Sequence, residues 1–489
     1  MEIHVSLDGD EEERDGRRDL AGQIYRQLRS AILDGRLRPG DPLPPTRELA
    51  ARLAVARNTV IVAYDKLAGE GFVGTRVGAG TYVSEELRPH TTAPPGKHDT
   101  LPAPRAVWSQ MPEPPDLTTE PEFDFRLGLG DARLFPYQTW RRLVTTELRA
   151  ANARNAGYAD PAGHLDLRTA IARHVGVSRS VRVTPDDVVV TNGTQQAVDL
   201  IGRVLIEPGD IVAVEDPGYP PVRRLFESLG ARVACVPVDA EGLVVKALPE
   251  RTRLVFVTPS HQFPLGMPMS LPRRLALLAW AEHHNAVLVE DDYDSEFRFT
   301  GRPIEPLQNL DRAGRVIYVG TFSKVLLPIL RLGFLVAPSS LHQALRTAKY
   351  VTDWHSPLTN QVALARFIEE GALGRHIRKK RNIYRERHER ITTNLATDFR
   401  AWLTPVPSVA GLHVAAHLYN GSDETVVEQA RRVGVHLPAL SWFAADRTDV
   451  QSGLVLGYGA IQTERIDEGM RKLRQILSAS GSRSDSMHE

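Results

Sequence analysis

Lys324 closes the run Gly320-Thr321-Phe322-Ser323-Lys324, with Arg331 shortly after it and Asp291-Asp292-Tyr293 well before it. A lysine amine condenses with an aldehyde to form a Schiff base. An arginine pairs with a phosphate. An aspartate holds a pyridinium nitrogen protonated, and a tyrosine hydroxyl bonds a ring oxygen. Pyridoxal 5'-phosphate offers a partner to each of these four groups. Thr321 and Ser323 offer hydroxyls to the same phosphate. Upstream, Thr191-Asn192-Gly193-Thr194-Gln195-Gln196 follows a β-branched run and opens a helix. There Gly193 lets the backbone approach an anion, and the helix N-terminus at Thr194 and Gln195 favours negative charge. Asp291 is preferred as the pyridinium partner, with Asp292 the alternative because the face of a strand shifts by one residue. Burial and the neighbouring Arg331 are expected to leave Lys324 less protonated and more nucleophilic. No metal site is expected.

Positioning these residues takes a sheet. Val188–Val190, Ile211–Val214, Leu254–Val257, Ala286–Val289 and Val316–Val319 are short β-branched or aliphatic runs, separated by helical patterns such as Gln195–Leu205 and Arg274–His283. Buried parallel strands have this character, so residues 119–480 read as an α/β layer fold. Asp291 and Tyr219 each follow such a strand, where open α/β sheets bind ligands. After about residue 341 the chain turns helical, then returns to strands near Leu412-His413-Val414 and Leu454-Val455-Leu456. A smaller C-terminal α/β subdomain is expected there, and residues 481–489 are expected to be a disordered tail.

The first 85 residues are of another kind. Leu20, Ile24, Leu28 and Ile32 recur at helical spacing. Thr46 reads as the N-cap of a short helix, Arg47–Leu53. Arg57-Asn58-Thr59 opens the next helix, and Gly71 closes it. Two short strands follow, joined by Arg76-Val77-Gly78-Ala79-Gly80, whose glycines permit a tight turn. This order is the winged helix-turn-helix plan. Arg57, Asn58 and Thr59 would face base edges and phosphates in the major groove of double-stranded DNA. Arg47 and Arg52 would reach the backbone, and Arg76 with Gly78 and Gly80 would form the wing. Residues 18–84 carry a surplus of about four positive charges. Between the two parts, residues 86–118 are rich in proline and read as an extended linker.

Composition adds bounds. A chain of 489 residues exceeds one ordinary core, so two or three domains are expected. Lys+Arg and Asp+Glu are both 60, so any nucleic-acid patch must be local. The single cysteine, Cys235, rules out an intrachain disulfide framework and suits a reducing compartment. The acidic N-terminal stretch lacks the basic start and apolar run of a signal peptide, and no apolar run would span a bilayer. A cytoplasmic protein is expected.

Leu43-Pro44-Pro45-Thr46-Arg47, Arg57-Asn58-Thr59-Val60 and Gly78-Ala79-Gly80-Thr81-Tyr82-Val83 resemble the GntR family of bacterial repressors. Residues 120–480 resemble a fold-type I aminotransferase, and the fusion resembles the MocR/GabR subfamily of transcription regulators. The resemblance covers nearly the whole chain. It implies that Gly193, Thr194, Thr321, Ser323 and Arg331 form a phosphate cup, that Tyr219 stacks on the pyridine ring, and that Tyr293 bonds the ring hydroxyl. It also implies a head-to-tail homodimer in which Tyr158 reaches the partner's phosphate, acting on repeated promoter sites.

Departures from an aminotransferase are as informative. Phe263 stands where an asparagine would bond the ring oxygen, in a Ser260-His261-Gln262-Phe263-Pro264 run that resembles MocR regulators. Leu454 stands where an arginine would clamp a substrate carboxylate, and Pro220-Pro221 occupies the stretch where the resemblance implies a further arginine in the GABA-responsive regulators. Arg126, Arg223 and Arg224 are the candidates to replace it. Without that clamp a simple amino acid is poorly held for transamination. The expected function is a regulator in which pyridoxal phosphate, bound as an aldimine or reacting with an amine effector, controls promoter binding. Vitamin B6 synthesis is a candidate target, as in members called PdxR. An aminotransferase with an accessory DNA-binding domain is the alternative.

Overall fold

A computed structural model describes residues 19–76, 80–86, 103–115, 119–149, 157–301, 304–447 and 450–485. Gly78 lies outside the described residues. Two compact units divide the chain, Met1–Ala103 and Pro104–Glu489.

In the first unit α1 (Leu20–Leu33) turns Ile24, Leu28 and Ile32 inward, as their spacing predicts. Asp19 caps it, accepting from the Gly22 amide. α2 (Thr46–Arg52) and α3 (Arg57–Gly69) follow. Val60, Ala63, Tyr64 and Leu67 of α3 meet Leu49 of α2 and the inward face of α1 in one core. β1 (Val73–Arg76) and β2 (Gly80–Val83) form the antiparallel wing, with Val73 and Val83 closing that core. Thr46 is not the cap expected of it. The helix begins at Thr46 with Pro45 in the cap position, and the threonine hydroxyl accepts from Arg57 Nε at 3.3 Å instead. Proline's fixed φ already suits the extended cap conformation.

The second unit is built on one mixed sheet. Its strands are β3 (Val188–Thr191), β4 (Ile211–Asp216), β5 (Arg232–Asp239), β6 (Gly242–Leu243), β7 (Thr252–Val257), β8 (Val287–Asp292), β9 (Val316–Thr321) and β10 (Gly333–Val336). Their spatial order is β3-β10-β9-β8-β7-β4-β5-β6. From β9 through β5 neighbours run parallel; β10 is reversed between β3 and β9, and β6 is a two-residue antiparallel edge. Every residue of β3, β9 and β10 is buried. That is why these runs read as continuously apolar rather than alternating. Helices α5 (Leu165–Arg179), α6 (Thr194–Leu205), α7 (Pro220–Ser228) and α8 (Leu271–His283) connect or cover the strands.

A smaller subdomain follows α9 (Ala372–Thr397). It holds the antiparallel sheet β11 (Leu403–Pro405), β12 (His413–Leu418) and β13 (Gly453–Gly457), and ends in α10 (Ile466–Asp485). The α10 backbone continues past residue 480, where a tail was expected to begin. The proline-rich stretch also holds structure. Ala106–Gln110 forms a short helix, α4, in the one proline-free run between Pro104 and Pro112. It stops where Met111 adopts the extended conformation that a following proline requires. Arg105 Nη2 donates to the Ser228 carbonyl at 3.1 Å, tying this segment to the end of α7.

Candidate cofactor and nucleic-acid sites

The carboxyl ends of five parallel-running strands converge on a cavity of about 590 Å³. β3 leads to Gly193 and Thr194, β4 to Tyr219, β7 to Thr258, β8 ends in Asp291, and β9 ends in Thr321 ahead of Ser323 and Lys324. Thr194, Gln195, Tyr219, Asp291, Tyr293, Thr321, Ser323, Lys324 and Arg331 all line it. The volume falls within the range of roughly 300–1,000 Å³ of small-molecule sites.

Lys324 Nζ donates to the Gly128 carbonyl at 2.9 Å. Burial pushes this amine's pKa down, while Asp294 and Asp291 pull it back up. Arg331 is not a cause of the shift, contrary to expectation; carboxylates, not a second cation, face the amine. Asp291 and Asp292 part company because successive strand residues face opposite ways. Asp292 turns from the cavity. Its Oδ2 accepts from Arg179 Nε of α5 at 2.8 Å and from the Tyr318 hydroxyl at 2.6 Å. Asp291 lines the cavity with Oδ1 buried and without a hydrogen-bond partner. Burial first, then the Asp292 charge, raise its carboxyl to about 8.

Gly193 caps α6 at φ +83°. A Cβ there would stand 3.3 Å from Arg331 Nη2, a tight contact, at a backbone angle that favours glycine. Arg331 Nη2 donates to the Asn192 carbonyl at 2.5 Å. Thr321 Oγ1 and Ser323 Oγ lie 3.0 Å apart beside them. Tyr219 packs edge-to-face on Phe263, ring centroids 5.4 Å apart, and burial pushes its hydroxyl up to about 12. Tyr158 stands apart from this group, 78% exposed, with its ring against Trp354.

Tyr293 shows what the sequence did not reveal. Its hydroxyl, expected to face a ring oxygen, is 2.9 Å from His261 Nδ1 and 3.0 Å from the His261 carbonyl. His261 Nδ1 is also 3.1 Å from Asp294 Oδ2. Gly411 packs so closely that a Cβ would overlap the imidazole at Cε1. His413 lies beside them, ring centroids 4.8 Å from His261, with Nε2 buried and unpartnered. His261, Asp294 and His413 bring one ligand atom each within 4.8 Å of one another. The signal was present in the unusual Ser260-His261-Gln262-Phe263 run, but its partners are remote in sequence.

On the first unit Arg57 and Asn58 are exposed at the start of α3, with Thr59 partly so. Arg47 and Arg52 are exposed on α2. Arg76 is exposed on the wing but pairs with Glu85 at 2.5 Å and lies over the Tyr82 ring. Gly80 opens β2 at φ +107°.

A helix-turn-helix with a wing, joined to an open α/β sheet with a lysine-bearing cavity at its carboxyl edge, defines a class: a DNA-binding module fused to an aminotransferase-like domain. Residues 20–83 match the family of bacterial regulatory proteins, gntR family, and residues 125–450 match aminotransferase class I and II. The chain is 38% identical to the probable rhizopine catabolism regulatory protein MocR of Rhizobium meliloti, over 96% of this chain and 95% of that one. It is 35% identical to the pyridoxine biosynthesis transcriptional regulator PdxR of Corynebacterium glutamicum, over 90% and 91%. A crystal structure of Pyrococcus horikoshii kynurenine aminotransferase superposes with a TM-score of 0.69 at 29% identity, covering 74% of this chain and 92% of that one. The chain belongs to the MocR-type transcription regulators, GntR-type winged helix-turn-helix proteins carrying an aminotransferase-like domain. The helix-turn-helix implies DNA binding, and the aminotransferase fold implies a pyridoxal-phosphate-binding domain. Among the described residues no helix is long and apolar enough to cross a membrane.

Proposed function

We propose that this regulator binds pyridoxal phosphate at Lys324 and adjusts its hold on promoter DNA to that binding. One observation carries the reading: the Lys324 amine and the unpartnered Asp291 oxygen line the same cavity. A buried carboxyl oxygen without a partner is costly, and a protonated ring nitrogen would satisfy it. The side chains fit the cofactor elsewhere as well. Arg331, Thr321, Ser323 and the α6 N-terminus at Gly193, Thr194 and Gln195 would hold its phosphate. Tyr219 would stack on its ring, and Tyr293 would stand on the ring-oxygen side. The bound cofactor supplies an aldehyde for a lysine or effector amine and a ring that withdraws electrons. Burial keeps the Lys324 amine ready to attack, and Asp294 and Asp291 keep a proton close to it.

Arg57, Asn58 and Thr59 would read the major groove, Arg47 and Arg52 would hold phosphates, and Arg76 with Gly78 and Gly80 would reach from the wing. In a head-to-tail homodimer Tyr158 would serve the partner's phosphate cup, and two heads would engage repeated sites. Leu454 is fully buried in β13, where a carboxylate clamp would be needed, which supports sensing with at most vestigial transamination. The likeness to PdxR supports vitamin B6 synthesis as the regulated pathway. Genome-wide mapping of bound DNA with and without pyridoxal phosphate tests this. Occupancy that changes with the cofactor is expected, at promoters that include vitamin B6 genes. Unchanged occupancy contradicts the sensing mechanism, and turnover of amino donors at enzyme-like rates contradicts the vestigial reading.

A further inference from the structure

His261, Asp294 and His413 come from three separate places: the loop after β7, the loop after β8 and the first residue of β12. All three are buried, and their ligand atoms, one apiece, lie within 4.8 Å of one another. Asp294 Oδ1 and His413 Nε2 find no hydrogen-bond partner among the described residues. Buried polar atoms are rarely left so, and two in one cluster call for a ligand. Lys324 does not serve them, because its amine is bonded to the Gly128 carbonyl. The atoms left over are a carboxylate oxygen and an imidazole nitrogen, which draw a cation rather than an anion.

His261 is held for ligation. A Cβ on Gly411 would overlap its ring, and one on Gly266 would stand 3.1 Å from Nε2, so the backbone closes on the imidazole from both glycines. Ser408 Oγ lies 3.4 Å from Nε2, which leaves Nδ1 to face Asp294 Oδ2 at 3.1 Å. Ligating imidazoles commonly bond an oxygen through the other ring nitrogen in this way. Asp294 and His413 also line the cavity, so a fourth coordination position would open towards it. Two imidazoles and one carboxylate suit zinc and its neighbours, whereas magnesium and calcium want oxygen ligands. Tetrahedral zinc, with bonds of about 2.0–2.2 Å, needs its ligand atoms roughly 3.4 Å apart, so the cluster would tighten by about an ångström on binding. We propose that His261, Asp294 and His413 bind a divalent zinc-type cation, which ties the carboxyl edge of the main sheet to the C-terminal subdomain. The site does not depend on the pyridoxal reading of Lys324.

The test strips untagged full-length protein with a chelator, returns equimolar zinc, desalts it and counts the metal by plasma mass spectrometry. One zinc per chain should remain, and excess magnesium should not displace it. Zinc should raise the melting temperature, as a ligand that binds only the folded chain must. His413→Gln and Asp294→Asn, each close in shape to the native side chain, should each weaken zinc binding in calorimetry by at least about hundredfold, because a lost ligand costs no less than a lost outer partner. X-ray absorption at the zinc edge of wild-type protein needs no variant and should show two imidazole ligands. Protein that retains no zinc, as a cluster bridged only by water would, overturns the site. So does unchanged affinity in either folded variant, or an edge spectrum with fewer than two imidazoles.

Discussion

Asp291 and Asp292 are adjacent in the chain and opposite in their surroundings. Asp292 is tied to Arg179 and Tyr318, whereas Asp291 faces the cavity with a free oxygen. The sequence could offer both but not choose, because the choice depends on which face of β8 meets α5. The Asp291 carboxyl titrates near 3.8 in an unfolded chain and near 8 in the fold. Between those values the folded protein keeps a proton that the unfolded chain has lost, so this group's contribution to stability declines as pH rises. Asp291→Asn removes that dependence. Its cofactor-free melting temperature should fall less steeply than wild type between about pH 5 and pH 8; equal slopes would sink the assignment. His261 gives a second prediction. His261→Ala leaves the buried Asp294 carboxyl without this partner, at about 1–3 kcal/mol, while the Tyr293 hydroxyl keeps the residue 261 carbonyl. Thermal unfolding should show that loss, and adding Tyr293→Phe should cost less than the sum of the two changes. Strict additivity would show that the two side chains do not act together.

At the scale of elements, the strands were legible because buried parallel β-structure needs uninterrupted apolar runs, and the site residues were legible because they sit just past those runs. Lys324, Arg331, Thr321, Ser323 and Tyr219, named as candidates in this way, all line one cavity. Arg224 could be named only as one of three arginines, because its place in the cavity wall depends on how α7 packs. Gly193 tests the element that caps α6. Gly193→Ala places a methyl beside the Arg331 guanidinium at a backbone angle that disfavours it. Affinity for pyridoxal phosphate should drop by roughly five- to hundredfold, given a strain of roughly 1–3 kcal/mol; equilibrium dialysis that finds wild-type affinity contradicts the phosphate-cup assignment. On α3, Asn58→Ala should weaken operator binding by about 1–3 kcal/mol and relax preference at one base pair. Fluorescence anisotropy against a set of single-base operator variants measures both effects, and a uniform loss across all variants would make Asn58 a backbone contact instead.

For the whole molecule, the informative segment is the end of the proline-rich stretch. Its composition reads as an extended linker, yet Pro112, Glu113 and Pro115 line the cavity that holds Lys324, and Arg105 is bonded to the end of α7. Sequence alone could not show this, because prolines record local stiffness and not what the chain lies against. The same covalent stretch leads back to the DNA-binding unit, so under the proposed function it is the segment through which cavity occupancy would act on that unit. Replacing Pro112-Glu113-Pro114-Pro115 by glycine and serine should leave pyridoxal phosphate affinity within a few fold and reduce the cofactor's effect on operator binding. Undiminished coupling in that variant would place the route elsewhere. The central claim is tested most directly by reducing the loaded protein with borohydride and sequencing its peptides by mass spectrometry. A pyridoxyl adduct on Lys324 is predicted, absent from Lys324→Ala; protein that takes up no cofactor, or carries the adduct on another lysine, would contradict the account.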